Sequence, residues 1–287
     1  MHTPDGFLTG WICIVLLVFS AAAIAYAFRT LKNTITKEKA MQMALLAAII
    51  FAAQMLNFPI ADGTSGHLIG AALAAILLGP EAAVIILASV LLVQALVFGD
   101  GGILTLGANI FNMGVIASYS ANFIYLRIKQ MSNVLAVLAA SWFSVFAAAI
   151  ATSLELAISG TIGFLPVLYS MVSTHALIGV GEGLITIVIL SYFYHRNLDI
   201  SYQSVAYTTA FAFLLLAIFL PFASEHPDGL EKVAINLGFF EKAVEIYSAP
   251  IPAYTLVAGM IGMFAVFAVT YCTSKYFINN IQHLSIQ

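Results

Sequence analysis

The chain has 287 residues, of which 62% are hydrophobic and 8% are charged, and its formal net charge is −3. About a quarter of the residues in soluble domains are charged, so this composition excludes an ordinary soluble globular protein. The sequence has no basic run that would favour a nucleic-acid partner, and Cys13 and Cys272 lie in apolar runs without a metal or disulfide motif. These features predict an all-α, polytopic helical membrane protein.

Long apolar runs predict the membrane spans. The first, at residues 8–28, lacks the basic residues that precede the apolar core of a signal peptide, so we expect it to be retained. The stretch 67–98 is interrupted at Gly79-Pro80, and as one straight helix it would reach about 48 Å, beyond a hydrocarbon core of about 30 Å. A break there gives nine predicted spans, at 8–28, 40–58, 67–78, 81–98, 103–126, 134–154, 172–194, 204–222 and 252–274.

The basic residues orient these spans, because Lys and Arg concentrate in cytoplasmic loops. Nine spans, with the N-terminus outside and the C-terminus in the cytoplasm, put eight of the ten basic residues inside: Arg29, Lys32, Lys37, Lys39, Arg127, Lys129, Arg196 and Lys275. Eight spans would leave the last four of these outside. The nine-span arrangement also puts Asp5, Asp62, Asp100, Glu155 and the loop 223–250 on an acidic outer face that should attract cations.

Met1 and His2 form a candidate metal chelate on this outer face. The α-amine of Met1, the backbone nitrogen of His2 and the imidazole Nδ1 of His2 can close a five-membered and a six-membered ring on one ion. The fourth position of the plane then stays open, and tetragonal nitrogen sites of this kind favour Ni(II) or Cu(II). Because His2 is bulky, we expect the initiator methionine to be retained, and Pro4 and Gly6 should stiffen and turn the chain beside it.

His67 offers a fourth ligand, because it follows the turn-rich loop 62–66 at the predicted outer start of the third span. Asn109 and Asn112 are three residues apart on the fifth span and are expected to share one helical face. Their amides could orient His67 or the N-terminal backbone. A polar clamp between two helices is an equally good interpretation.

His175 and Glu182 are seven residues apart, on one predicted face of the seventh span. Ionisable groups inside a membrane are costly, so each is a candidate functional residue. His175 lies near the outer end, where it could hydrogen-bond to the metal site. Glu182 lies deeper, and a functional role and a role as a buried structural anchor are both open for it.

These residues resemble a known family. The motif Met-His-x-Pro-Asp-Gly-Phe-Leu at residues 1–8, together with His67 after a glycine-containing loop, is similar to the substrate-binding membrane subunit of cobalt/nickel energy-coupling-factor transporters, the CbiM/NikM type. The resemblance implies that the Met1 amine, the His2 amide and imidazole, and the His67 imidazole coordinate the transported ion. It also implies a transmembrane coupling subunit and two cytosolic ATPases as partners. Position 3 is usually aliphatic in this family, whereas this chain has Thr3.

The chain divides into a predicted seven-span subunit at 1–200 and a fused segment at 201–287, joined through the linker 195–203. In the second segment two spans flank an outside loop with the motif Pro-Asp-Gly-Leu-Glu at 227–231. This is similar to the CbiN/NikN-like accessory subunit of these metal systems. His226, just before the motif, is expected to be an exposed loop histidine.

Three functions compete. The leading hypothesis is high-affinity capture of Ni(II) or Co(II) for ATP-driven import across a prokaryotic cytoplasmic membrane, with nickel favoured by a planar field of four nitrogens. The sequence has no phosphate-loop motif, so we expect partner subunits to hydrolyse ATP and do not expect an enzyme. A stand-alone secondary transporter would use His175 and Glu182 as a proton relay. An intramembrane metalloenzyme would need a general base near an open metal position, and no His-Glu-x-x-His motif occurs.

Overall fold

The computed structural model describes residues 1–32, 34–195, 202–251 and 255–284, so most of the predicted linker lies outside the described residues. Its helices, in chain order, are α1 (Gly10–Leu31), α2 (Lys37–Gln54), α3 (Ala71–Leu78), α4 (Pro80–Val93), α5 (Leu106–Asn109), α6 (Ala117–Ile128), α7 (Asn133–Ile158), α8 (Phe164–His195), α9 (Tyr202–Phe219), α10 (Gly229–Leu237) and α11 (Leu256–Leu284). The prediction of a mostly helical protein is confirmed.

Short irregular elements connect these helices. A π-helical stretch, Gln94–Phe98, extends α4, and a second one, Ile110–Ile116, joins α5 to α6. Single 3₁₀ turns lie at Leu220–Phe222 and Phe240–Lys242. Two strands of two residues each, β1 (Phe58–Pro59) and β2 (Ser65–Gly66), pair antiparallel.

Among the described residues, five helices are long and apolar enough to cross a membrane: Gly10–Leu31, Pro80–Phe98, Asn133–Ile158, Phe164–Phe193 and Leu256–Phe277. The other predicted spans are shorter or interrupted. For example, α3 has 8 residues and is about 12 Å long at 1.5 Å per residue. The number of nine spans and the orientation of the termini therefore stay predictions.

The short helix α3 lies inside the bundle, where it contacts α4, α6, α7 and α8. Its small side chains Ala71, Ala72 and Ala74 are completely buried, so the surrounding helices approach its backbone closely. Gly70 begins α3 with a φ of 80°, and a Cβ atom there would come within 2.7 Å of Ile50. Only glycine suits this position, and it brings the chain from His67 directly into the bundle.

Residues 1–9 form an irregular segment that is mostly buried, and its residues Thr3 and Asp5 bond to the loop before α5. Thr3 and Asp5 are 0% and 4% exposed. The carboxylate of Asp5 accepts backbone N–H groups from residues 103–105 at 2.9–3.1 Å. A Cβ atom on Gly102 would clash with Asp5, so a residue without a side chain is needed here. The prediction that Asp5 lies on the outer surface is therefore wrong.

Residues 223–251, which we call the covering segment, lie over this N-terminal segment and over the β-hairpin. The backbone N–H of Val244 donates to the carbonyl of Asp5 at 2.8 Å, and that of Ser65 donates to Pro227 at 2.9 Å. The buried face of α10, with Leu230 and Val233, packs toward α8. The fused C-terminal part thus contacts the N-terminal part directly.

We expect Asp5→Ala to destabilise the fold. Three backbone N–H groups lose their buried acceptor, so the free energy of unfolding should fall by at least about 1–3 kcal/mol, the cost of one unsatisfied buried group. Unfolding in mixed micelles measures the change. The exposed Glu245 provides the control, since Glu245→Ala should leave stability unchanged. Equal stability of both variants would contradict the anchoring role of Asp5.

Candidate metal centre

His67 is held between the β-hairpin and α3 in one orientation. The preceding Gly66 is buried, and a Cβ atom there would come within 2.8 Å of Ile178, so the hairpin packs tightly on α8. Nδ1 of His67 lies 3.0 Å from the carbonyl of Leu68, which can only accept a hydrogen bond. Nδ1 therefore carries the proton, and in the neutral ring Nε2 presents its lone pair to the interior.

The amine of Met1 lies against this lone pair. The nitrogen of Met1 is 2.8 Å from Nε2 of His67 and 2.6 Å from Oδ2 of Asp228. The side chain of Met1 is 2% exposed. The predicted convergence of the first residue and His67 is thus present in the structure, and a carboxylate from the covering segment accompanies it.

Two glutamines orient the ring of His2. The carbonyl of Ile69 can only accept, so Gln54 turns its Nε2 toward it at 2.7 Å. Oε1 of Gln54 then accepts from Nε2 of Gln94 at 2.7 Å, and Oε1 of Gln94 faces Nε2 of His2 at 3.1 Å. Nε2 of His2 is therefore the donor, and in the neutral ring Nδ1 holds the lone pair.

Nδ1 of His2 is thus the ring atom that can bind a metal. Burial lowers the pKa of His2 from 6.5 to about 4, although the nearby Asp100 opposes this shift, so the ring is neutral near pH 7. Nδ1 lies 3.2 Å from Oδ1 of Asp100. A lone pair and a carboxylate oxygen then face each other without a proton between them, and a cation beside them would satisfy both.

Together these groups form a compact set of donors. Donor atoms of His2, His67 and Asp228 all lie within 4.8 Å of one another. The rings of His2 and His67 are stacked, with centroids 5.1 Å apart. Burial by itself would raise the pKa of Asp228, but the Met1 amine and His67 outweigh that effect and hold this pKa well below its ordinary value. The carboxyl group is therefore ionised.

Asn109 and Asn112 have different roles, although they were expected to share a face. Oδ1 of Asn109 accepts from the backbone N–H of Thr3 at 2.8 Å, and its Nδ2 donates to the carbonyl of Thr3 at 3.1 Å. Nδ2 of Asn112 instead donates to Glu155 on α7 at 2.8 Å. Asn112 lies within the π-helical stretch Ile110–Ile116, whereas Asn109 lies just before it.

Of the two open interpretations, Asn109 therefore orients the N-terminal backbone, and Asn112 clamps two helices together. The same contact corrects the prediction for Glu155. This residue was expected on the outer surface, but it is 7% exposed and its carboxyl group accepts from Asn112.

Glu182 is a structural anchor for the segment that follows His67. Its two carboxylate oxygens accept the backbone N–H groups of Ile69 and Gly70, at 2.5 and 2.9 Å. These groups lie at the start of α3, where the first N–H groups of a helix lack partners within the helix. Glu182 therefore fixes the point at which the chain turns from His67 into α3.

His175 lies beside the site without joining the donor set. Its Nδ1 is 2.8 Å from the carbonyl of Met171, and its buried Nε2 has no hydrogen-bond partner among the described residues. A small cavity, of about the volume of one water molecule, is lined by His175, Met1, His67 and Gly229. The predicted proximity of His175 to the metal site is therefore present, but the structure gives it no hydrogen bond to Met1, His2 or His67.

Sequence reasoning missed Gln54, Gln94, Asp100 and Asp228. The two glutamines carried a usable signal, because amide side chains within apolar helices need buried partners. Gln94 also begins a π-helical stretch, a feature that is frequent at functional sites. Asp228 was visible only as part of a motif, and its contact with Met1 joins residues 227 positions apart. His226 is exposed, as predicted.

The chain is similar to known metal transport proteins. The family described as the cobalt uptake substrate-specific transmembrane region, CbiM, matches residues 2–200. A protein of Archaeoglobus fulgidus, provisionally named fused nickel transport protein NikMN, is 35% identical over 96% of this chain and 99% of its own length. The cobalt transport protein CbiM of Acetoanaerobium sticklandii is 31% identical over 71% of this chain and 86% of its own length.

Solved structures agree with these relatives. A crystal structure of a truncated transition metal transporter matches with a TM-score of 0.63 and 34% identity, over 68% of this chain and 99% of that chain. A second transition metal transporter matches with a TM-score of 0.64 and 32% identity, over 70% and 95% of the two chains.

The fold and its relatives thus define a helical membrane protein of the cobalt and nickel transport class. More particularly, the chain belongs to the CbiM family, and its similarity to NikMN extends through the fused C-terminal segment. The resemblance inferred from residues 1–8 and His67 is confirmed. The division of the chain near residue 200 stays a prediction.

The glutamine pair generates a test of how His2 is oriented. Gln94→Met removes the acceptor that fixes Nε2 of His2 as the donor, so Nδ1 loses its fixed orientation. Groups that orient metal ligands typically contribute about 10–100-fold to affinity, and we expect a loss of Ni(II) affinity in this range by calorimetry. Ser89→Ala is the matched control, because the buried Ser89 bonds only to its own helix. Unchanged affinity in Gln94→Met would disprove the orienting role.

Proposed function

We propose that this chain captures Ni(II) or Co(II) at the outer face of a prokaryotic cytoplasmic membrane and delivers the ion to an ATP-driven transporter of the energy-coupling-factor type. The ion is bound by the amine of Met1, the backbone nitrogen and Nδ1 of His2, and Nε2 of His67. The chain itself is a binding and transport subunit rather than an enzyme.

The convergence of nitrogen donors on one buried point carries this proposal. Two nitrogens bound to one ion at right angles, with bonds of about 2.0–2.1 Å, lie about 2.8–3.0 Å apart. The nitrogen of Met1 and Nε2 of His67 are 2.8 Å apart, which matches this spacing. The two ring nitrogens that face the site, on His2 and His67, are the ones without a proton in the neutral rings. The spacing of Met1 and His67 therefore suits two adjacent positions around one ion.

The type of donor favours nickel as the preferred ion. The proposed ligands of Met1, His2 and His67 are all nitrogens, and one of them is a backbone amide that binds a metal only after losing its proton. A planar nitrogen field of this kind is typical of Ni(II) and Cu(II). The names of the relatives include both nickel and cobalt transport proteins, so cobalt stays the second candidate.

The energy for transport comes from partners in this proposal. The sequence lacks the glycine-rich loop, followed by Lys and Ser or Thr, that binds ATP phosphates in many ATPases. A transmembrane coupling subunit and cytosolic ATPase subunits would supply that activity. A proton relay through Glu182 is less well supported, since both of its carboxylate oxygens are occupied by backbone N–H groups.

A peptide added before Met1 tests the proposed site. The extension turns the amine into an amide and removes a direct ligand, so Ni(II) affinity should fall by more than the roughly 10–100-fold that groups behind a ligand contribute. Calorimetry on the purified chain measures this. The same peptide added after Gln287 is the control. An extended protein that binds nickel as tightly as the native one would refute the amine as a ligand. His67→Ala should cause a comparable loss.

Reconstitution tests the dependence on partners. In proteoliposomes, the chain alone should show no ⁶³Ni uptake above background, with or without a pH gradient. Adding the coupling and ATPase subunits together with ATP should produce uptake. Uptake by the chain alone, driven by a pH gradient, would instead support a proton-coupled secondary transporter.

A further inference from the structure

The covering segment places one carboxylate directly against the proposed metal ligands. Oδ2 of Asp228 lies 2.6 Å from the nitrogen of Met1 and 3.8 Å from Nε2 of His67. Its side chain is 18% exposed, against 2% for Met1 and 7% for His67. Asp228 therefore closes the side of the site from which the covering segment approaches.

The conformation of α10 holds this carboxylate in place. Oδ1 of Asp228 accepts from the backbone N–H of Glu231 at 2.8 Å, while Oε2 of Glu231 accepts from the backbone N–H of Asp228 at 3.3 Å. This reciprocal arrangement is a capping box. One oxygen of Asp228 is thus used to begin the helix, and the other oxygen is left for the Met1 amine.

The rest of the motif at 227–231 brings Asp228 to the site. The carbonyl of Pro227 accepts from the backbone N–H of Ser65, two residues before His67. A Cβ atom on Gly229 would come within 2.9 Å of the ring of His175, so only glycine permits this close approach. Leu230, in the first turn of α10, is completely buried. These contacts hold the motif against the β-hairpin and α8, beside Met1.

The carboxylate of Asp228 balances positive charge at the site. It neutralises the buried ammonium group of Met1. An ion bound to Met1 at about 2.0 Å would lie at most about 4.6 Å from Oδ2 of Asp228, because the two atoms are 2.6 Å apart. The metal ion would thus replace the ammonium group as the positive partner of Asp228, and the buried site would keep a compensating negative charge in both states.

We propose that Asp228 is an affinity-determining residue of the metal site, supplied by the fused C-terminal segment, which faces the bound ion as its counter-charge without bonding to it. This inference rests on the proposed function. It also gives the covering segment a role, because Asp228 adds its negative charge to that of Asp100, beside His2, only when residues 223–251 are seated over the site.

Asp228→Asn in the full-length chain with a native N-terminus tests this inference. Asn is as good an N-cap as Asp, so α10 should form while the negative charge is lost. We expect Ni(II) affinity to fall on the order of 10–100-fold by calorimetry, as for other groups that support metal ligands. Glu231→Gln is the matched control. Gln also serves at this position of a capping box, so the variant removes a carboxylate without releasing Asp228, and its affinity should stay within about threefold of native.

Each result of this experiment supports or overturns the inference. Reduced affinity in Asp228→Asn, with unchanged Ni(II) absorption bands at saturation, supports a counter-charge. Shifted bands would mean that Asp228 bonds to the ion, and native affinity would mean that it has no role, so either result overturns the inference. If Asp228→Asn unfolds, Asp228→Ser, another good N-cap, repeats the test. A native chain that binds no nickel refutes the proposed function itself, and this inference with it.

Discussion

The contact between the Met1 amine and Nε2 of His67 depends on holding the irregular and mostly buried segment of residues 1–9 inside an apolar bundle. Unpaired backbone groups are costly where water is absent. The N-terminal segment avoids this cost in two ways. A side chain from α5 hydrogen-bonds to its backbone, and its own carboxylate accepts hydrogen bonds from the neighbouring loop. Asn109 bonds both backbone groups of Thr3, and Asp5 accepts three N–H groups from the loop at 103–105. The same logic applies at the start of α3, where Glu182 accepts the N–H groups that precede the helix.

This arrangement separates groups that build the site from groups that face it. Glu182, Asn109 and the pair Gln54 and Gln94 each bond to backbone or to another side chain that positions a histidine or the N-terminal segment. The groups that face the same point are nitrogens, together with the carboxylate of Asp228. A polar residue deep in a helical membrane protein therefore need not bind the transported ion. Its hydrogen-bond partners show whether it positions other groups or faces the site itself.

The sequence was sufficient for the central part of this site and insufficient for its surroundings. His2 and His67 could be paired because the charge distribution put both at the same membrane face. The spacing of Asn109 and Asn112 did not reveal that they bond to different partners, Thr3 and Glu155. The surface position predicted for Asp5 failed because a buried carboxylate becomes acceptable once three N–H groups surround it. Asp228 could not be predicted as a site residue, because its contact with Met1 joins residues 227 positions apart and no local pattern encodes such a contact. The helical class could be predicted from composition and the length of the apolar runs alone.

The contact between Met1 and Asp228 has a consequence for the order in which the protein is made. Met1 leaves the ribosome long before residue 228 is translated, so Met1, His2 and His67 are made well before the carboxylate that contacts Met1. Helices α1 to α9 must be synthesised and inserted before the covering segment can dock. This contact is therefore completed late in biogenesis, and a polypeptide truncated before residue 223 would lack the carboxylate that lies beside Met1 and His67.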